Sequence, residues 1–337
     1  MFGRDEATES HVSQIAYFSS HDCQYSRIGG VCQVSTTLQQ TANWIKPFLN
    51  FAPLNIGIQG EPLLTSANLI LQTIAGPPFT WPWNRNKATF LTTIGTQDYN
   101  QTISDFGYLE GASLQPAANI TKVQINQNVA TYDAVNSFVA GDLVTVTGTT
   151  TSGGLFNVTN VVITAASSTQ FAVALVNANV AVTSDTGTAV SGLAFGLEVS
   201  TEVVTEVVER GRPRYVGTQV NGNTLTFRFV STPEQVYQVV VTYQKAPSLF
   251  ANLGTNWPIP DKLQYIYNYG LLYLMMDFYD DPRAPRYRQM FIATLLGAQS
   301  GLKEADRNLF LGHFLDLHRE IMANQGKEQQ GIQSRQV

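Results

Sequence analysis

Charge is scarce in this chain, and its scarcity is uneven. Asp, Glu, Lys and Arg make up 13% of 337 residues, against about 25% in typical soluble proteins. From Gln124 to Gly196 there is no Lys, Arg, His or Glu, and only Asp133, Asp142 and Asp185 carry charge. Polarity there comes from Thr, Ser and Asn, a mix that suits strands better than charge-laced surface helices. The formal net charge is −5. No run of Lys and Arg offers a footprint for phosphates, which argues against a dedicated nucleic-acid binder. Passive contact with DNA is compatible with the composition, because a mildly acidic channel wall lets DNA slide past.

Cysteine and histidine are scarce too. Cys23 and Cys32 are the two cysteines, too few in a chain of this length for a disulfide scaffold. His11 and His21 lie near them but match no standard zinc spacing, so free thiols in a polar arm are the reading and no metal is expected. The other histidines are His313 and His318. The first residues, MFGRDEATES, show no apolar stretch of a secretory signal. The most apolar helical segment, Tyr265 to Met276, is too short and too polar to span a bilayer, so no membrane partner is expected.

Catalytic signatures are missing as well: no G-x-x-x-x-G-K-[ST], no G-x-G-x-x-G after a strand, no G-x-S-x-G and no H-E-x-x-H. Asp280-Asp281 is the most conspicuous acidic pair, but it sits at a helix break, where a turn or capping role outweighs catalysis. Asn100, Asn119 and Asn157 begin Asn-x-Thr triplets, which carry no weight without secretion. The expectation is a protein with no catalytic residue and no cofactor, not an enzyme.

Hydrophobic residues are 44% of the chain, enough for a sizeable core, and their periodicity changes along it. Leu38, Ala42, Ile45, Phe48 and Leu49 recur at helical spacing, with Pro47 marking a kink or an early end. Leu64, Ala67, Leu71 and Ile74 share a face of a second helix, about Pro62 to Ala75, which Gly76-Pro77-Pro78 stops. Phe79, Trp81 and Trp83 follow. A packed turn that anchors the helix pair to a sheet is favoured there, with a sugar or base platform as the alternative. A β-pattern begins at Ala88, and a strand runs to about Ile125. Leu143–Thr147, Val158–Thr164 and Gln170–Val176 alternate at period two between turns at Ala140-Gly-Asp142 and Ser152-Gly-Gly154, predicting a small β-sandwich or barrel. Leu197 to Val208, the Asn221-Gly222 hairpin and Gln235 to Lys245 supply later strands.

The end is helical. Asp261 is placed as the N-cap of a helix in which Leu263, Ile266, Gly270, Leu274 and Phe278 share a face. Tyr265, Tyr269 and Tyr273 form a neighbouring stripe, read as core or subunit interface. Asp281 to Pro285 break the helix, a second helix runs about Arg286 to Leu302, and an amphipathic stretch spans Leu309 to Ala323. The predicted fold class is α+β: a helical body, made of an N-terminal helix pair and C-terminal helices, with a hairpin and strand region and an inserted all-β, sandwich-like domain. The predicted organisation is an N-terminal arm (1–34), an adaptor body (35–125 and 196–325), an inserted β-domain (126–195) and a flexible tail (326–337).

Several segments together resemble head-to-tail connector, or adaptor, proteins of tailed bacteriophages. They are Gly95-Thr96-Gln97-Asp98-Tyr99 with Asp105-Phe106, Gly211-Arg-Pro213-Arg-Tyr215, Tyr243-Gln244-Lys245, Ile259-Pro260-Asp261, and Asp280 to Arg283. The inserted segment looks like β-modules of phage tail and neck proteins. The resemblance implies a structural virion protein of the neck, made in the host cytoplasm, that links the portal to the tail. Its partners would be the portal protein, a tail or nozzle protein, and its own copies in a ring, a dodecamer, through whose lumen DNA passes. Phe310, Phe314, Leu317 and Ile321 would then be the apolar anchors on the portal. A tail-side nozzle or fibre-attachment collar is the competing reading, and a carbohydrate-cleaving tail component a more remote one.

Overall fold

A computed structural model of the chain describes residues 36–49, 61–200, 209–221 and 224–299, with Glu304, Arg307, Asn308, Leu311 and Gly312. The α-helices whose bounds are described are α1 (Leu38–Ile45), α2 (Leu63–Ala75), α3 (Gln264–Phe278) and α4 (Ala284–Gly297). The strands of the first half are β1 (Arg85–Leu91), β2 (Asp98–Gln101), β3 (Phe106–Asn126), β4 (Val129–Asp133), β5 (Leu143–Thr147), β6 (Val158–Ala166) and β7 (Gln170–Ala174). Those of the second half are β8 (Val180–Ser191), β9 (Phe195–Ser200), β10 (Arg210–Gly211), β11 (Tyr215–Asn221), β12 (Thr224–Phe229), β13 (Thr232–Pro233) and β14 (Tyr237–Lys245).

The helices form one layer with its own core. In α1, Thr37 and Gln40 make a reciprocal capping box: the Gln40 amide donates to Thr37 Oγ1 at 3.2 Å and the Thr37 amide to Gln40 Oε1 at 2.9 Å. That satisfies donors a short helix otherwise leaves unpaired. Lys46-Pro47-Phe48 then tightens to a 3₁₀ turn. In α2, Asn68 brackets the backbone of Phe250, donating to its carbonyl at 3.2 Å and accepting from its amide at 2.7 Å. Trp257 Nε1 donates to Thr41 Oγ1 at 2.8 Å, so a buried threonine of α1 finds a partner 216 residues away. Gly270 lets α3 sit close: a Cβ there would lie 3.0 Å from Ile70 of α2 and Phe291 of α4.

Two of the sequence expectations for this layer change. The buried residues of α3 are Ile266, Tyr267, Asn268, Gly270, Leu271, Leu272, Met275 and Met276, a wider face than predicted, because α1, α2 and α4 all pack on it. Phe278, placed on the buried face by spacing, is 61% exposed. Asp261 does not cap α3, whose N-cap is Leu263; it opens a 3₁₀ turn, and its Oδ1 accepts from the Thr36 amide at 3.3 Å.

Below the helices lies a curled sheet in the order β1-β14-β3-β9-β11-β12-β2, antiparallel except for β9–β11. Its second strand, β14, is hydrogen-bonded on both sides, and Tyr237, Val239, Val241 and Tyr243 alternate into the core. Phe90 of β1 lies 5.6 Å from Tyr99 of β2 and 5.3 Å from Phe227 of β12, ring centroid to centroid, across the inside of the curl. The two edges of the sheet therefore face each other over one apolar cluster.

The charge-poor segment forms a closed six-stranded barrel, β3-β4-β7-β6-β5-β8 and back to β3. Buried residues alternate along β4, β5 and β7, as inward-facing positions of a barrel do, while the pairings of β6 and β8 carry register shifts. At its centre Tyr132 stacks on Phe171 with centroids 4.7 Å apart and donates to the Phe156 carbonyl at 2.9 Å.

The predicted fold class is thus overturned. The chain is predominantly β, with a twelve-stranded continuous sheet carrying a closed barrel, not a helical body with a sandwich-like insert. The physical reason lies in β3. Its 21 residues serve two bodies, pairing β14 from Phe106 to Pro116 and β8 from Ala117 to Ile125. One strand therefore fuses the segments that composition separates. The barrel is no sandwich, because β8 pairs with β5 on one side and β3 on the other, leaving no free edge.

Candidate functional site

The motifs shared with the adaptor resemblance meet one another in space as locks. In the turn after β1, the Thr93 amide donates to the Tyr99 hydroxyl at 2.9 Å, and that hydroxyl lies 2.8 and 2.9 Å from the Thr93 and Thr96 carbonyls. Burial pushes the Tyr99 hydroxyl pKa up. Arg228 holds Asp98 in a two-pronged pair at 2.7 and 2.6 Å, which lowers the carboxyl's pKa. Tyr243 donates to Asp105 at 2.7 Å. Its hydroxyl is pushed up to about 12, by burial first and by Asp105 second.

Gln244 is the node between helices and sheet. It is fully buried; the Trp81 amide donates to its Oε1 at 3.1 Å, and its Nε2 donates to Glu110 at 2.7 Å. Glu110 is also paired with Arg85. Burial opposes its ionisation, but Arg85 and Gln244 outweigh that and keep its pKa low. Trp81 Nε1 donates to the Ile74 carbonyl at 2.7 Å, and Phe79 and Trp81 are buried in the helical core. The aromatic segment is thus the packed turn, not an open platform.

Asp281 is buried and accepts from Arg283, whose side chain and amide it engages. Arg283 in turn donates to the Phe48 carbonyl at 2.7 Å, tying the helix break to the 3₁₀ turn that follows α1. Asp280 is exposed, with φ +53. Of the tyrosine stripe, Tyr265 is 42% exposed, while Tyr269 and Tyr273 are half-buried against the helical core. Trp44 sits 6.4 Å from Tyr269, edge to face, at the exposed side of α1. Phe310, Phe314, Leu317 and Ile321 lie outside the described residues, as do Cys23, Cys32 and all four histidines. Among the described residues no group of three or more Asp or Glu could hold a metal ion.

A cleft of about 850 Å³ lies where the barrel meets the curled sheet. Arg210, Arg212 and Arg214 line it, all exposed and alternating along an extended stretch in which Pro213 is buried. Arg212 lies 4.3 Å over the ring of Phe195, a cation–π contact. Among the described residues none of the three makes an ion pair, for the pairs formed are Arg85–Glu110, Arg228–Asp98 and Arg283–Asp281. Sequence reasoning passed over this cluster because it searched for runs of basic residues. The signal was the period-two spacing R-G-R-P-R, which puts every second side chain on one side of an extended chain.

Comparison with known proteins places these features. A search of curated proteins finds no match for the chain. The family described as SU10 adaptor protein matches residues 83–309, from the turn at Trp83 through the curled sheet, the barrel and the α3–α4 hairpin. With two thirds of its length matched, the chain belongs to the SU10 adaptor protein family of bacteriophage structural adaptors.

Proposed function

We propose that the chain is a non-enzymatic subunit of the phage neck that assembles into a ring on the portal, passes DNA through the lumen and receives the tail. The observation that carries the reading is the family match, which runs through both β-bodies and the helical hairpin as one unit. The local chemistry supports it. Four carboxylates serve as locks of this kind: Asp98, Glu110 and Asp281 pair with arginines, and Asp185 caps a turn. A carboxylate held in this way by an arginine or by backbone amides stays ionised and fixes one geometry. The mild negative charge suits a lumen that DNA slides along. Binding energy then comes from the same apolar patches repeated around a symmetric ring.

A second reading, a nozzle or fibre-attachment collar, draws on the barrel, whose surface is nearly uncharged and exposes Val135, Val162 and Val182. Mixing purified portal with the full chain and imaging by electron microscopy separates the two. The neck reading expects rings seated on the portal and loss of those rings when Phe314 and Leu317 are both changed to Asp, since unpaired carboxylates are costly to bury. No complex with portal, together with a labelled chain found at the distal end of the tail, refutes it.

A further inference from the structure

The cleft sets three exposed arginines, none in an ion pair among the described residues, beside three carboxylates, and the chain itself carries an acidic and aromatic corner that the arginine stripe can hold. At the break between α3 and α4, Asp277, Phe278 and Asp280 form a corner. Phe278 is 61% exposed, a large apolar side chain standing between two acids. Asp280 adopts φ +53, and its amide donates to the Asp277 carbonyl at 3.1 Å, so the corner is a fixed turn. Neither Asp277 nor Asp280 forms an ion pair among the described residues; the adjacent Asp281 is the one committed to Arg283.

The cleft is the counterpart in both charge and apolarity. Arg210, Arg212 and Arg214 alternate, so neighbouring guanidinium stems leave the chain roughly 6.6 Å apart. In the same lining, Val139 and Leu193 are 63% and 52% exposed, and Tyr215 is 41% exposed. Of the carboxylates in the lining, Asp142 accepts from the Val139 amide at 3.0 Å and Glu234 from the Tyr237 hydroxyl at 3.2 Å, while Glu209 is exposed beside Arg210. The exposed apolar wall disfavours a phosphate backbone, which carries no apolar group to cover it. An acidic corner with a central aromatic satisfies both walls. Aromatics and arginines are also the residue types that dominate interface energies.

We propose that the Arg210–Arg212–Arg214 cleft of each subunit receives the Asp277–Phe278–Asp280 corner of a neighbouring copy. Because the two surfaces differ, the contact is heterologous, the type that propagates head to tail and closes into a ring when the rotation allows. The inference rests on the ring reading above and names the contact that would build it.

The test uses the full chain, with and without portal, sized by analytical ultracentrifugation and imaged by electron microscopy. Arg210→Glu with Arg214→Glu leaves the Arg212 stacking on Phe195 in place; Asp277→Arg with Asp280→Arg reverses the corner. Each pair is expected to weaken assembly at least about tenfold, and the four changes combined in one chain are expected to restore rings. Phe278→Ser, which removes an exposed side chain, is expected to weaken assembly with an unchanged melting temperature, and it decides the matter if a charge-reversed pair folds poorly. Rings that persist in both reversed pairs, or a combined variant that stays dispersed, overturn the proposal. Loss of rings or of portal docking in the arginine pair while the reversed corner pair still assembles as wild type also overturns it, by assigning the cleft to another chain. A wild-type chain that forms no ring, alone or on portal, refutes the ring reading itself.

Discussion

Asp185 is the one charge buried in the barrel, and replacing it tests the account of how a nearly uncharged body is held. It lies at 9% exposure on β8 beneath the turn at residues 150–151. Its carboxylate accepts from the Thr150 amide at 3.0 Å, the Thr151 amide at 3.0 Å, the Thr186 amide at 2.8 Å and Thr150 Oγ1 at 3.1 Å. Burial alone would raise its pKa, but these donors outweigh burial and hold it well below the usual carboxylate range. Asp185→Asn keeps one accepting oxygen and turns an NH₂ toward backbone N–H groups. With charge-assisted bonds at roughly 1.5–3 kcal/mol each, losing about two of them and gaining a donor clash costs about 3 kcal/mol.

The sign of the pH dependence follows from the lowered pKa. Such a group stabilises fully above its unfolded value, about 3.9, and the contribution is lost as pH falls toward the folded value. Between pH 5 and pH 3 the wild type should lose about 1 kcal/mol from this source, so the gap to the Asn variant narrows by that amount. The tryptophans Trp44, Trp81, Trp83 and Trp257 all lie outside the barrel strands, so their fluorescence is blind to it. Hydrogen exchange across residues 143–151 and 183–190, in increasing urea at both pH values, reads the barrel directly. An Asn variant as protected as wild type at pH 7, or a gap that does not narrow in acid, refutes the reasoning.

Two further substitutions probe the junctions. Gln244→Ala strips partners from the Trp81 amide and from Glu110 and should cost about 3 kcal/mol, seen as an earlier urea midpoint in tryptophan fluorescence; an unchanged midpoint would show that Gln244 does not couple the helices to the sheet. Gly270→Val puts a branched side chain where even a Cβ would come within 3.0 Å of Ile70 and Phe291, and should destabilise the helical layer by about 2 kcal/mol, with barrel exchange unaffected; a neutral result would mean that α2 and α4 can yield.

What the residues determined alone is the local structure. Leu143–Thr147 is a strand at its predicted bounds, and α2 ends at Gly76 as predicted, because alternation, caps and breakers act within a few residues. The Gln124–Gly196 compositional gap marks most of the barrel for the same reason. Tertiary structure decided what depends on partners far away in sequence. Only pairing of Ala117 with Val190 and of Val144 with Ser191 closes a barrel instead of stacking a sandwich, and only the length of β3 welds that barrel to the curled sheet. Spacing put Phe278 inside, but the neighbours of α3 leave it exposed; spacing made Asp261 a cap, but Thr36 claims it. The arginine cleft was written as alternate residues, yet folding set it against an exposed apolar wall, with no ion pair to the three arginines among the described residues. Periodicity says which way a side chain points, and only packing says what it meets.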